Sequence, residues 1–274
     1  VVRRHLDDWD LERDGDVLFG YTAIVVPVRH IESPRERRVL KVRWLDPSTE
    51  QEALALRTWN GQGAVRLIAE DASTGALLLE RLDPDTSLRD APESEAVDVA
   101  AALLRRLAVP APLKIRPIAR EVAEMTEELP RRWEQAGGPI PRTRLDRLLD
   151  LAAELGETDA RLMVNFDLHY ENVLAGTREP WLAIDPKVVA GDLEYAAAQL
   201  LWNRTAELSG AGDLRVRLER IADRADLDLD RARRWSVVRL AENLVWSRSV
   251  GQRNNAENCH RLLGWLDWEQ LLGG

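Results

Sequence analysis

The chain has 274 residues, 45% hydrophobic and 31% charged, ordinary proportions for a folded protein long enough for one large domain or two lobes. Its formal net charge of −9 argues against nucleic acid or an anionic membrane as main partner and suits a small cationic molecule. The lone Cys259 excludes an intrachain disulfide and fits a reducing cytoplasm. No apolar run approaches the ~18 residues of a bilayer span, and the first residues do not read as a signal peptide. His5, His30, His169 and His260 are scattered, without zinc-ligand spacing.

In chain order, residues 9–28 predict two strands across a turn, Trp9 to Glu12 and Val17 to Val28, with Asp14-Gly15-Asp16 between them. Arg38 to Trp44 alternates as a strand, with Lys41 on one face and Leu40 and Val42 on the other. Asp46-Pro47-Ser48-Thr49 is expected to cap a helix that runs through Glu50 and Glu52 to Trp59 and ends at Gly61-Gln62-Gly63. Ala64 to Glu70 and Gly75 to Leu82 read as a strand pair. Helices are expected from Ser94 to Leu107, Arg120 to Ala136 and Pro141 to Leu155, with an extended crossing at Pro110, Pro112 and Pro117. Past residue 187, Glu194–Leu208, Leu214–Ala225, Asp230–Val250 and Glu257–Leu272 read as helical, with Trp202, Trp235, Trp246, Trp265 and Trp268 at core spacing. Strands early and helices late make an α+β plan with a cleft between two lobes.

Between these halves, residues 163–187 concentrate the candidate chemistry. Asp167 and Asn172 lie five positions apart, and Asp185 follows thirteen further on. Two carboxylates and a carboxamide are hard oxygen donors, suited to Mg²⁺ and to a nucleophilic hydroxyl rather than to zinc. Short strands at Val173-Leu174 and Trp181 to Ile184 place them at strand ends and loop.

Asn165-x-Asp167-x-x-x-x-Asn172 followed by Ile184-Asp185-Pro186 resembles the catalytic loop and metal segment of the aminoglycoside phosphotransferase branch of the protein-kinase-like fold. The longer string Asp167 to Leu174, Arg178 to Lys187, Gly191-Asp192-x-Glu194-Tyr195 and Leu200 to Arg204 is similar to the streptomycin 6-kinase and hydroxyurea phosphotransferase family, over roughly residues 37–205. The resemblance implies a nucleotide-binding lobe over residues 1–82, a hinge at 80–82, and a catalytic and substrate-binding lobe over 83–274. It implies that Asp167 accepts the acceptor hydroxyl's proton and that Asn172 and Asp185 hold Mg²⁺. Lys41 would meet the nucleotide phosphates, oriented by Glu52, with Glu50 as the alternative. Leu79, Glu80, Arg81 and Leu82 would border the base of ATP (or GTP). His169, Lys187, Asp192 and Glu194 are candidate substrate or phosphate contacts, although capping of the following helix fits Asp192 and Glu194 as well. Asn165 is expected to brace the loop.

The stretch where a phosphate-covering loop belongs has only Gly15 and Gly20 and no G-x-G-x-x-G form. This keeps open a nucleotide-binding module without turnover, or a kinase of another small metabolite. No Asp-Phe-Gly or Ala-Pro-Glu occurs, which argues against a protein kinase. The acceptor itself is not legible in the sequence.

Overall fold

The structure, a computed structural model, describes residues 1–20, 22–45 and 51–273. In chain order its elements are α1 (Val2–Asp8), β1 (Leu11–Arg13), β2 (Leu18–Phe19), β3 (Ala23–His30), β4 (Arg37–Arg43), α2 (Glu52–Trp59), β5 (Leu67–Asp71), β6 (Ala76–Glu80) and β7 (Asp83–Ser87). These are followed by α3 (Glu93–Leu107), α4 (Ile118–Gln135), α5 (Arg142–Gly156), β8 (Leu162–Asn165), β9 (Val173–Ala175), β10 (Trp181–Ala183) and β11 (Val188–Gly191). Then come α6 (Ala197–Trp202), α7 (Ala211–Ala225), α8 (Leu229–Ser249), α9 (Arg253–Trp265) and α10 (Trp268–Leu271). They gather into two compact units, Val1–Asp90 with Glu171–Val188 and Ala91–Tyr170 with Val189–Gly274.

The first unit is built on an antiparallel sheet ordered β1-β3-β4-β6-β5, with β2 beside β3. Period-2 alternation sorts its side chains. Val26, Val28, Leu40, Ala76 and Leu78 join Leu11 in a buried cluster on one face, where Val2, Leu6 and Trp9 pack against it. Lys41, paired with Val25 on β3 and Leu77 on β6, belongs to the alternate set. The expected strand 17–28 is in fact two. β2 and β3 fold back on each other, with Phe19 opposite Ile24 and the Gly20 N–H donating to Ala23 O at 2.8 Å. Apolar residues on both sides of Gly20 concealed that turn, and β1 pairs with the far end of β3. α1 was not anticipated. The expected cap at Asp46–Thr49 and the alternative Glu50 lie outside the described residues.

β9 and β10 form a hairpin with β7 at its edge. Its second strand is tied back by Ala183 N–H to Gly63 O at 2.9 Å and Val65 N–H to Ala183 O at 2.8 Å. That tie sets where the chain leaving β10 must emerge.

In the second unit α8 is the hub, packed by α4, α5, α6, α7 and α9. It buries Trp235, Val238, Leu240, Leu244 and Val245, and its N-cap Asp228 accepts the Arg231 N–H at 2.7 Å. β8 and β11 form a two-stranded sheet. The helix expected over Glu194–Leu208 is broken into a 3₁₀ turn at 193–196, α6, and another at 205–207. Arg204 is left-handed there, with φ of 56°, and Asn203 Nδ2 caps the Gln199 carbonyl at 2.8 Å. A left-handed Asp267 likewise splits Glu257–Leu272 into α9 and α10. Trp235 and Trp268 are core residues, but Trp246 is exposed, so helical spacing overstated the aromatic core.

Candidate active site

Strand β4 carries Lys41 to the one place where two carboxylates reach it. Its Nζ donates to Glu52 Oε1 of α2 at 2.8 Å and to Asp185 Oδ1 at 2.7 Å. Lys41 is 6% exposed and Glu52 2%, so the pair is desolvated. Arg43, two residues along the same strand, is 3.7 Å from Glu52 Oε2. Burial works against the Lys41 charge, but the Glu52 and Asp185 carboxylates outweigh it and its pKa is raised. Asp185 follows β10 in a left-handed conformation with φ of 48°, tolerable for aspartate but worth about 1 kcal/mol of strain. The Ile184 N–H donates to Asn172 O at 2.9 Å, which puts Asn172 and Asp185 at the same end of the β9–β10 hairpin.

Beside Lys41 opens a cavity of about 250 Å³, walled by Val25, Val39, Val65, Leu79, Leu174 and Ile184 among others, with Glu80, Arg81 and Leu82 at its edge. Such apolar walls suit an aromatic ring. The side chains at the edge are engaged elsewhere. Glu80 accepts from Arg178 Nε at 3.3 Å and Nη2 at 3.0 Å, and Arg81 Nη1 donates to Asp14 Oδ2 at 2.6 Å. What they leave at the edge is backbone. Among the described residues no backbone partner meets the N–H of Arg81 or of Leu82, and such donors call for one.

Arg178 is a residue to which the sequence reading gave no role. Besides Glu80 it donates to Ala64 O at 3.1 Å and to Glu179 Oε1 at 2.9 Å, clamping the hairpin loop to β6. Hydrogen bonding to Glu80 raises its pKa. It lies within the quoted string, but nothing local linked it to a glutamate 98 positions away. Gly15, a candidate for the phosphate loop, packs against Pro27 with φ of 151°. Gly20 holds the β2–β3 turn, and Tyr21 lies outside the described residues.

In the second unit, β8 runs into Asn165, Phe166 and Asp167. Asn165, 1% exposed, accepts the Asp167 N–H on Oδ1 at 3.2 Å, a local turn of the loop. Asp167 Oδ1 accepts from Gln199 Nε2 of α6 at 2.7 Å. Arg239 of α8 donates to the carbonyls of Phe166 and Tyr195 at 3.4 and 3.3 Å, its guanidinium over the rings of Phe166, Tyr195 and Trp202. His169 is half-buried in this unit, as is Lys187 in the first. Asp192 is buried and occupied, accepting from Thr158 Oγ1 at 2.5 Å and Arg231 Nε at 2.6 Å; its side chain caps no helix. Glu194 accepts the Asp228 N–H at 3.0 Å, bracing the start of α8.

Solved structures with this architecture place the chain in a class. Aminoglycoside phosphotransferase APH(4)-Ia, in a ternary complex with ADP and hygromycin B, superposes with a TM-score of 0.66 at 15% identity, covering 99% of this chain and 98% of that one. Choline kinase LicA from Streptococcus pneumoniae does so with 0.63 at 13% identity, covering 96% of each. The fold is therefore the protein-kinase-like fold, strand-rich first and mainly helical after. Within that class the sequence is more specific. Streptomycin 6-kinase of Streptomyces griseus is 38% identical over 92% of this chain and 83% of its own length. Hydroxyurea phosphotransferase of Kitasatospora aureofaciens is also 38% identical, over 92% of this chain and 73% of its own. The family pattern described as aminoglycoside/hydroxyurea antibiotic resistance kinase matches residues 8–251, and the chain belongs to that family.

Proposed function

We propose that the protein transfers the γ-phosphate of ATP to a hydroxyl of an aminoglycoside such as streptomycin, inactivating the antibiotic. The observation that carries this reading is Lys41 held by Glu52 and Asp185 beside an apolar cavity with open backbone donors at its edge. Family membership supports phosphoryl transfer to an alcohol group.

In this reading residues 1–82 are the nucleotide lobe. The backbone of Glu80, Arg81 and Leu82 meets the base edge, and Leu79 packs on its face. The open N–H groups match an acceptor on the base edge, N1 of adenine or O6 of guanine, so the edge suits ATP or GTP. Lys41 neutralises the non-transferred phosphates. Asn172 and Asp185 fit Mg²⁺ as a carboxamide and a carboxylate at one hairpin end. Among the described residues no group of three acidic, histidine or cysteine side chains forms a metal cage. When bound, Mg²⁺ supplies charge neutralisation of the phosphates.

Asp167 takes the proton of the acceptor hydroxyl as its oxygen bonds to the γ-phosphorus, the bridging P–O bond breaks and ADP leaves. Lys187 and His169 remain candidates for the acceptor or the transferring group. Asp192 and Glu194 are not proposed as substrate contacts, because Arg231 and the Asp228 N–H already use their carboxylates.

The test is an ATP-consumption assay over streptomycin, related aminocyclitols and hydroxyurea, with products identified by mass. A product heavier by one phosphate is expected with streptomycin. Nucleotide binding without transfer to any of these acceptors refutes the antibiotic reading. Asp167→Ala should abolish turnover while ATP–Mg²⁺ affinity survives, and full activity in that variant removes Asp167 from the chemistry.

A further inference from the structure

We infer that Gln199 is the positioning residue for Asp167, an inference that rests on Asp167 being the group that takes the acceptor proton. Gln199 sits in α6 and is 6% exposed. Its Nε2 donates to Asp167 Oδ1 at 2.7 Å, across 32 positions of sequence. The direction of that bond is dictated by chemistry, since an ionised carboxylate only accepts and the amide must present its nitrogen. The consequence is visible on the other side of the amide. Gln199 Oε1 is buried and meets no partner among the described residues, and neither does Asn165 Nδ2, whose own oxygen is turned to the Asp167 N–H.

Buried polar atoms are nearly always satisfied. Orphans on both amides flanking one carboxylate mean that each is oriented for Asp167 at the expense of its own second hydrogen bond, the pattern expected where local stability yields to function. The helix bearing Gln199 is itself pinned. Asn203 Nδ2 holds the Gln199 carbonyl at 2.8 Å and the buried Tyr170 hydroxyl holds the Leu200 carbonyl at 3.0 Å. A carboxylate swings about a soft terminal torsion, and a bond to one of its oxygens fixes that plane. The donor is neutral, so this bond itself brings no positive charge to the carboxylate.

The experiment uses the full chain with ATP–Mg²⁺ and streptomycin, comparing Gln199→Leu, Gln199→Glu, Asp167→Asn and the double variant Gln199→Leu/Asp167→Asn. Gln199→Leu should lower kcat by about 10- to 100-fold, as misplaced reacting groups do, with the KM for each substrate within about twofold of wild type. In the residual rate of the Asp167→Asn variant, followed over long incubations at high enzyme concentration, the same substitution should cost nothing further, because its effect travels through the carboxylate. Gln199→Glu, close in shape, should be impaired at about pH 8 and recover towards about pH 5, where a protonated carboxyl can donate again; wild type lacks that recovery. A kcat for Gln199→Leu equal to wild type, or a loss of equal size in the Asp167→Asn background, overturns the inference. If Asp167→Asn is itself fully active, the reading of Asp167 fails instead. Crystal structures of wild type and Gln199→Leu give a readout independent of the acceptor. The Asp167 carboxylate should rotate in the variant, and an unmoved carboxylate refutes positioning by Gln199.

Discussion

In the proposed reading, Lys41 serves stability and function at once. Its ammonium lies between Glu52 and Asp185, and removing it leaves Glu52 buried with Arg43 at 3.7 Å as the nearby cation. Breaking a buried pair costs about 3 kcal/mol, whereas replacing both members by apolar groups of similar volume is often neutral. Lys41→Met is therefore expected to lose about that much in urea unfolding, and Lys41→Met/Glu52→Leu to regain most of it. If Lys41 meets the nucleotide phosphates as proposed, neither variant should phosphorylate an acceptor. The pH dependence follows from the raised pKa of Lys41, held up by the two carboxylates against burial. A raised folded value means that the stabilisation is complete below the ordinary lysine value of 10.5 and is lost only as pH rises through the higher folded one. The stability gap between wild type and Lys41→Met should be flat from about pH 7 to about pH 9 and close only above about pH 10.5. A gap that narrows between about pH 7 and about pH 9 contradicts this account.

At the scale of elements, α3 and α7 are joined by Asp98, whose carboxylate accepts from Arg220 Nε and Nη2 at 2.6 and 2.8 Å and from Arg224 Nε at 3.1 Å. Hydrogen bonding to Arg220, reinforced by Arg224, holds its pKa down to about 2 despite partial burial. A depressed folded value places the stabilisation above the unfolded value of 3.8 and removes it as pH falls towards 2. The pair is partly solvated, so Asp98→Asn should cost about 1 kcal/mol, roughly 2–4 °C in Tm at neutral pH. The difference should fade between about pH 4 and about pH 2, and a difference that persists at about pH 2 excludes the ion pair as its source. Periodicity made most of these elements legible: Ser94–Leu107 is matched by α3, Pro141–Leu155 by α5, and Leu214–Ala225 by α7 to within a few residues. It failed where a single residue in a left-handed conformation ends a helix, as at Arg204 and Asp267. Arginine and aspartate carry weaker turn signals than glycine or proline. The candidate chemistry was legible because Asp167, Asn172 and Asp185 crowd into nineteen positions. Gln199 and Arg178 act on partners 32 and 98 positions away, and no spacing rule within one segment reports such a pairing.

For the molecule as a whole, the division into two units makes a statement about where nucleotide should be felt. Every wall of the Lys41 cavity named above comes from the first unit, which recruits residues 171–188 from far along the chain. A ligand that binds only the folded state stabilises by RT ln(1 + [L]/Kd), about 2.7 kcal/mol at a hundredfold excess over Kd. Local opening is suppressed most in the segments that make the contacts. ATP–Mg²⁺ should therefore slow hydrogen exchange in β3, β4, β6 and the residues after it, and the β9–β10 hairpin, while α7 and α9, which wall no part of the cavity, keep their rates. Chelating the metal with EDTA should remove the part of the protection that depends on Asn172 and Asp185 and leave a weaker imprint at Glu80–Leu82, the proposed site of the base. Asp185→Asn should reproduce the EDTA pattern with metal present, because the amide can no longer supply the negative charge that favours a hard cation. Protection confined to the helices of the second unit, or identical with and without chelator, is incompatible with nucleotide in this cavity and with Asn172 and Asp185 as the metal-holding pair.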